Sequence, residues 1–366
     1  MKYFLIFLVL IPFFVTYSQI GYIEYTIYLN NMSTVSGVTP NFFSSISPTY
    51  MVVDSSGYVF AAAVNEVFII NPYGKVVGKI GVQGAEYISY CNENNTLIVS
   101  SGTLPNFTIS FISTINFTII RTINVNDYPL STLEHNGKIY VGTYGGVGIL
   151  NNSKINIFVN TPGPVVSLAY SNGYLYAVGY NFTQSYGFLF IIHNNSVKSI
   201  ILSTFPNFIY VYNNKIYIAG DFSVIMINQE SLKIQYINIS GEKFEGIVVD
   251  PKNNLTYVTA DSLFGPDYIL VLNGSKISGE IYGGITPIGI VFDNVSNFLF
   301  ISNFFDGTIS VISTNGSQYY QENTYQIPVN QNIISNKPKL EFYIQDIIFF
   351  VIIIFIIVLT LRKIRK

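Results

Sequence analysis

Four aspartates are the residues whose type and spacing best suit ligand binding or catalysis in this 366-residue chain. Asp221, Asp261 with Asp267, and Asp306 recur at intervals of roughly 40 residues, each soon after a strand-like segment. Carboxylates brought to one place can hold a hard cation such as Ca²⁺, or act as an acid/base pair on a glycan. The alternative is that each aspartate closes a turn through its own backbone. We therefore assign these four as candidate ligand-binding residues and leave a bound metal undetermined.

Other kinds of catalytic chemistry find little support in the residue types. The two histidines, His135 and His193, fall in turns, and Cys91 is the only cysteine. A Ser–His–Asp or Cys–His arrangement needs a histidine within reach of a nucleophile, and no such constellation is visible. We assign no catalytic residue and expect no cofactor. Three loop tyrosines are further candidates to face a ligand: Tyr144, Tyr180 and Tyr186.

The elements that position these residues recur along the chain. A turn with Gly or Asn precedes an alternating strand, and this motif occurs seven times. Each copy of about 40 residues accommodates four strand-like segments, and no amphipathic helix of useful length interrupts them. The pattern predicts an all-β fold, a seven-bladed β-propeller over residues 19–320. The residues at the centres of the seven strands are Phe60, Ile98, Tyr140, Tyr176, Tyr217, Tyr257 and Phe300.

Prolines mark the start of five copies and are missing from copies two and six. Proline has no N–H to donate and fixes φ, which suits the position just before a strand. The last copy lacks a clear fourth strand, and we expect the alternating segment 22–30 to supply it, because an unpaired edge there would promote aggregation. A less regular alternative is 319–329. The five prolines are Pro48, Pro129, Pro164, Pro206 and Pro287.

The last two copies carry a more specific pattern. Residues 286–293 read TPIGIVFD, 300–303 read FISN and 306–312 read DGTISVI, while 257–260 in copy six read YVTA. These segments resemble the YVTN-type β-propeller repeat. The resemblance implies a propeller in an exported or surface-layer-like protein of archaea or bacteria. It implies no catalytic residue, because the motif of that family is structural.

The two ends of the chain differ from its middle. The apolar run 4–15, followed by small residues, has the layout of a secretory signal peptide over 1–18. Residues 342–361 are almost wholly apolar and, as a helix of ~30 Å, would cross a bilayer core. We expect this C-terminal transmembrane helix to be joined to the propeller by a linker over 321–341. The basic tail 362–366 is expected in the cytoplasm, which places the propeller outside the cell.

Between these ends the chain carries 13 Lys and Arg against 19 Asp and Glu, a net charge of −6 without a basic patch. This composition argues against nucleic acid as a partner. Twelve Asn-x-Ser/Thr sequons indicate a glycoprotein. Eight of them are assigned to turns on one rim and are the predicted glycosylation sites: Asn94, Asn116, Asn151, Asn194, Asn254, Asn273, Asn294 and Asn315.

The sequence thus predicts a single-pass membrane protein at the cell surface whose propeller binds a ligand, a surface protein or a glycan. Two alternatives remain open at this point. One is a surface hydrolase or lyase that uses the loop carboxylates, and the other is a structural component of the envelope. Propellers host all three kinds of function, so the fold alone does not decide between them.

Overall fold

The computed structural model describes residues 23–30, 32–36, 46–102, 106–194, 196–263 and 265–314. Within these ranges the chain is all-β, with 25 strands and no helix. The first strands are β1 (Ile23–Tyr28), β2 (Ser33–Ser36), β3 (Pro48–Val53), β4 (Val59–Ile70), β5 (Val76–Cys91), β6 (Thr96–Ser101), β7 (Phe107–Ser113), β8 (Thr118–Val125), β9 (Ser131–His135), β10 (Lys138–Gly142), β11 (Gly146–Asn151) and β12 (Lys154–Asn160). The others are β13 (Val165–Ser171), β14 (Tyr174–Asn181), β15 (Tyr186–His193), β16 (Ser196–Leu202), β17 (Pro206–Tyr212), β18 (Lys215–Asn228), β19 (Ile234–Asp250), β20 (Leu255–Ser262), β21 (Tyr268–Asn273), β22 (Lys276–Tyr282), β23 (Pro287–Asp293), β24 (Phe298–Asn303) and β25 (Thr308–Ser313).

The strands form five antiparallel sheets, so the propeller has five blades and the prediction of seven is wrong. Two sheets have four strands, β9 to β12 and β13 to β16, and one has five, in the order β2-β1-β25-β24-β23. The other two have six strands each, β3 to β8 and β17 to β22. Each six-stranded sheet therefore contains two of the sequence copies.

The absence of a proline explains why two copies form one sheet in each of these cases. The long strands β5 and β19 each pair with one neighbour along their first half and with the next neighbour along their second half. They run through the connections that begin copies two and six, the two copies without a proline. Elsewhere a proline interrupts the connection, because it cannot donate a ladder hydrogen bond. Where the proline is missing, the strand continues and the two copies become one sheet.

The N-terminal strand closes the last sheet, as the sequence predicts. β1 pairs antiparallel with β25, with Thr26 opposite Ser310. The additional strand β2 covers the other edge of β1, so β1 is not the outermost strand of its sheet. β23 of this sheet contacts β3 of the first one, and the Ser302 hydroxyl donates to the carbonyl oxygen of Thr49. These contacts close the ring of sheets.

Tight turns built by aspartate and asparagine join the first two strands of many copies. Asp54 accepts backbone N–H bonds from Ser56 and Tyr58, both at 2.9 Å. Asparagines adopt the left-handed region in these turns, as at Asn95 (φ 51°) and Asn254 (φ 54°), because asparagine tolerates this conformation. The apolar core lies between these strand pairs, and its largest fully buried side chains include Phe60, Phe68, Phe188, Phe244 and Phe300.

No helix that could cross a membrane occurs in the part of the chain that the structure describes. The corrected fold is therefore an all-β propeller with no transmembrane helix among its described elements. The segment 342–361, for which such a helix was predicted, lies outside the described residues, as do 1–18, 321–341 and 362–366.

Candidate functional site

A row of charged residues crosses three neighbouring strands. The register sets Asp221 of β18 opposite Lys243 of β19, and Lys243 opposite Asp261 of β20. Directly opposed residues in an antiparallel pair have their side chains on the same face, about 5 Å apart. The structure therefore brings together two of the four predicted aspartates, on either side of a lysine. We call Asp221, Lys243, Glu245 and Asp261 the mouth.

Lys243 is held as a fixed cation. Its ammonium group pairs with the carboxylate of Glu245, whose side chain is only 11% exposed. Burial lowers the pKa of Lys243, but Glu245 together with Asp221 and Asp261 outweighs this effect and raises it above its ordinary value. The lysine therefore stays protonated at neutral pH. It can bind an anionic group or hold carboxylates in place, but it cannot act as a base.

Asp267 supports the mouth from the loop after β20. Its two carboxylate oxygens accept the backbone N–H groups of Ser262 at 2.9 Å and Thr286 at 2.7 Å. Asp267 also forms a hydrogen bond with Asp261. Burial raises the pKa of Asp261, and the charges of Asp267 and Glu245 add to this effect. The role of Asp267 is thus to position the loop and to hold a carboxyl group beside Asp261.

Glu242 adds a further carboxyl group beside the mouth. Its Oε1 accepts a hydrogen bond from the Ser262 hydroxyl at 3.2 Å. Its Oε2 is buried and has no hydrogen-bond partner among the described residues. Burial raises the pKa of Glu242, and the charges of Glu280, Asp267 and Asp261 raise it further.

Asp306, the fourth predicted aspartate, has a different role. It is 6% exposed, and its carboxylate accepts hydrogen bonds from the backbone N–H of Thr308 at 3.2 Å and from the Thr308 hydroxyl at 2.7 Å. Burial raises the pKa of Asp306 to about 6. Its charge acts on Tyr28 of β1. These partners make Asp306 the cap of the β24–β25 loop.

Aromatic side chains lie beside the mouth. Tyr50 of β3 stacks on Phe208 of β17 with ring centroids 5.8 Å apart, and it lies 4.8 Å from Tyr87 of β5. Burial raises the pKa of Tyr50 well above its ordinary value, and the charge of Glu245 contributes to this rise. The three rings, from two different sheets, therefore form an apolar cluster next to Glu245, and we call Tyr50, Tyr87 and Phe208 the aromatic floor.

Two of the predicted tyrosines lie beside the mouth. Tyr180 packs against Phe182 at 4.5 Å and against Phe205 at 5.5 Å. Burial raises the pKa of Tyr180. Tyr144 and the negative charge of Asp221 raise this pKa further, and the positive charge of Lys243 lowers it. Tyr144 is 59% exposed. The third tyrosine, Tyr186, lies at the start of β15, where its hydroxyl accepts a bond from Asn181 at 3.5 Å.

The histidines and the cysteine lie away from the mouth. His135 stacks on Tyr170 at 3.6 Å, and Nδ1 of His193 bonds to the carbonyl oxygen of Gly173 at 2.9 Å. Cys91 is buried and its thiol donates to Glu134 at 2.7 Å. In the described ranges no group of three or more His, Cys, Asp or Glu side chains is arranged to hold a metal ion.

The predicted glycosylation sites lie at or beside turns that join consecutive strands. Seven of the eight asparagines are exposed, and Asn315 lies outside the described residues. Neighbouring sheets meet at one of these turns, where the Asn253 amide donates to the carbonyl oxygen of Thr314 at 3.2 Å. The exposed sequon asparagines are Asn94, Asn116, Asn151, Asn194, Asn254, Asn273 and Asn294.

Sequence reasoning missed Lys243, Glu245 and the aromatic floor. Lys243 lies in the connection that begins copy six, which looks like a loop when the copies are taken as separate blades. Glu245 is the first residue of the strand predicted after it, over 245–249. The missing proline was the available signal, because it indicates that β19 continues and pairs on both sides. Tyr50 and Phe208 each follow a marking proline by two residues, but their stacking across the ring depends on the tertiary structure.

Comparisons with known proteins place the fold. No protein-family model matches the sequence, and no curated protein matches it either. Similar solved structures include hydrazine synthase of Kuenenia stuttgartiensis (TM-score 0.64, 14% identity, 76% of this chain and 99% of that one). Others are the Cps50 (Swd1) β-propeller domain of Myceliophteria thermophila (0.61, 10%, 76% and 99%) and a catalytically inactive variant of virginiamycin B lyase from Staphylococcus aureus with quinupristin (0.60, 15%, 75% and 98%). At these identities the similarity shows the fold alone and does not confirm the YVTN-type family. The chain is a β-propeller.

Proposed function

We propose that this protein is a binding module that recognises its ligand at the mouth. The observation that carries the proposal is the charged row Asp221–Lys243–Asp261, with the aromatic floor beside it. Fixed charges beside apolar rings are the usual composition of a recognition site. The propeller fold is consistent with this role.

The geometry favours binding over the hydrolase or lyase alternative. Glycosidases keep their two carboxyl groups about 5 to 9 Å apart, so that a sugar or a water fits between them. Asp261 and Asp267 instead lie next to each other, and Asp267 uses both oxygens to accept backbone N–H groups. A carboxyl pair in this arrangement stabilises its loop more readily than it attacks a substrate.

We further propose that the binding face acts outside the cell. The signal-like segment 1–18 and the apolar segment 342–361 with its basic tail support this location. The exposed sequon asparagines, such as Asn94 and Asn254, are accessible to glycan attachment. The segments in copies six and seven support kinship with YVTN-type surface proteins. Protease treatment of intact cells tests the location, since an exterior propeller is cleaved and an interior one is protected.

The proposed function is tested by capture of surface proteins and glycans with the full-length protein. The test variant is Asp221→Ala with Asp261→Ala. Alanine is used because asparagine at 221 would create an Asn-Phe-Ser sequon. The matched control removes two exposed carboxylates from turns, Glu93→Ala with Glu230→Ala. We expect the test variant to capture about tenfold less of a specific partner, and the control to capture the wild-type amount. Equal capture by both variants contradicts the site.

A further inference from the structure

Exposed apolar side chains border the mouth. Tyr144, Phe182 and Leu263 lie in connections that follow the second strand of their copies, and Phe222 lies at the register shift within β18. Single exposed apolar side chains are normal, whereas a patch of them marks an interaction site. We call these residues the apolar arc: Tyr144, which is 59% exposed, Phe182, 69%, Phe222, 49%, and Leu263, 62%.

The arc is tied to the mouth by direct neighbours. Phe182 packs on Tyr180, whose pKa responds to the charges of Lys243 and Asp221. Phe222 follows Asp221 in β18. The backbone N–H of Leu263 donates to the carbonyl oxygen of Gly241 at 2.9 Å, two residues before Lys243. The arc and the mouth therefore form one surface.

The exposed area of the arc and the backbone strain at Phe222 indicate that the arc contacts a binding partner. Four side chains of this kind, exposed to this degree, present on the order of 500 Å² of apolar surface, which is the size of patches that are often functional. Phe222 also adopts a left-handed backbone with φ 64°. Such a conformation is strained for a bulky residue, and strained residues cluster at ligand sites.

The charge beside the arc defines the partner. The mouth and the residues beside it supply five carboxyl groups, from Asp221, Glu242, Glu245, Asp261 and Asp267, against the single ammonium group of Lys243. Such a surface repels anionic lipid headgroups. It also repels the same surface of a second copy of this chain. A segment that brings Lys or Arg together with apolar side chains complements both the charge and the arc.

We propose that the mouth and the apolar arc bind an extended segment of a partner protein that carries Lys or Arg among aromatic or aliphatic residues. This inference rests on the proposed function and names the class of its partner. An extended segment is favoured over a folded domain because the apolar arc, on the order of 500 Å², is small compared with a standard protein–protein interface of about 800 Å² on each side.

The test measures fluorescence anisotropy of a labelled 12-residue peptide of repeated Lys-Lys-Phe-Phe with the full-length protein in nonionic detergent. Two comparison peptides replace Lys by Glu, or Phe by Ser. The arc variant is Phe182→Ser with Leu263→Ser, and its matched control is Tyr73→Ser with Ile115→Ser, two apolar residues of similar exposure in turns. Leu263→Ser alone serves if the loss of Phe182 disturbs Tyr180. Thermal unfolding confirms that each variant is folded.

We expect saturable binding of the Lys-Lys-Phe-Phe peptide, at least about tenfold weaker binding by the arc variant, and a change of less than about twofold for the control. Equal binding of the Lys-Lys-Ser-Ser peptide, or unchanged binding by the arc variant, overturns the inference. Binding to phosphatidylserine vesicles in place of the peptide overturns it as well. If no peptide binds while partner capture still depends on Asp221 and Asp261, this inference fails and the proposed function stands. If both assays are negative, both fail.

Discussion

A change from pH 7 to pH 4.5 should alter the free energy of unfolding of this protein in a direction that its buried carboxyl groups determine. Burial raises the pKa of Asp306 to about 6, from an ordinary value of 3.8. Burial also raises the pKa values of Asp54 and Asp261, and of Glu24 and Glu242. A carboxyl group with a higher pKa in the folded state takes up its proton there first. The free energy of unfolding therefore rises as the pH falls through this window.

The magnitude is worked from Asp306, which is 6% exposed. A pKa rise of about 2 units corresponds to roughly 3 kcal/mol, fully present below the unfolded pKa and lost as the pH rises through about 6. At pH 4.5, Asp306 alone should make the free energy of unfolding about 2 kcal/mol higher than at pH 7. The other four carboxyl groups act in the same direction.

Urea unfolding at pH 7, 6, 5 and 4.5, followed by far-ultraviolet circular dichroism, measures this dependence. The variant Asp306→Ala isolates the main group, and alanine is chosen because asparagine would create an Asn-Gly-Thr sequon. The variant loses two hydrogen bonds to Thr308 at every pH. Its gain on acidification should nevertheless be smaller than that of the wild type by about 2 kcal/mol. A wild-type protein that loses stability on acidification, or a variant with an unchanged gain, refutes the reasoning.

Three further outcomes follow from particular contacts. Phe222→Asn should raise the free energy of unfolding by about 0.5 to 1 kcal/mol, because asparagine tolerates φ 64°, and it should weaken peptide binding. The control Ile115→Asn changes an exposed residue without this backbone conformation and should alter the free energy of unfolding by less than about 0.5 kcal/mol. Equal effects of the two variants would contradict backbone strain at Phe222. Lys243→Met should destabilise the protein by about 1 to 2 kcal/mol at pH 7, which is less than the loss of one partner from a fully buried ion pair, because the lysine side chain is 45% exposed. In a double-mutant cycle, adding Glu245→Gln should restore part of this loss. Purely additive effects of the two substitutions would contradict an energetic contribution of the Lys243–Glu245 pair. Thr26→Pro should cost on the order of 3 kcal/mol and promote aggregation in light scattering, because β1 pairs on both edges; a stable monomer would show that β1 does not close the sheet.

The repeat made most of the propeller predictable from the sequence. Period-2 alternation and Asn or Gly turns specify strands locally, and these strands occur where the pattern indicates them. The closing strand β1 could also be predicted, because an alternating segment and an incomplete last copy complement each other. The number of blades was wrong because β5 and β19 continue through connections that were taken as ends. Sheet membership depends on hydrogen bonds between strands, which a periodic pattern does not specify.

The candidate site could be predicted only in part. Asp221 and Asp261 share a position in successive copies, and the register of β18, β19 and β20 brings them together. Asp306 occupies the same position in the last copy, but Thr308 two residues later supplies two donors and turns it into a loop cap. Lys243 was not predicted because its role depends on strand pairing on both sides of β19.

Labelling of Lys243 by an amine-reactive reagent tests most directly that the mouth is the binding site. The experiment compares intact cells, in which the proposed partner is available, with the full-length protein after extraction and removal of partners. Peptide mass spectrometry gives the extent of labelling at each lysine. Lys215 and Lys276, exposed at the first positions of β18 and β22, are the internal references. A bound partner should reduce labelling of Lys243 at least about fivefold relative to these two lysines, since it covers a surface-accessible ammonium group. Equal relative labelling of Lys243 in both preparations would contradict binding at the mouth.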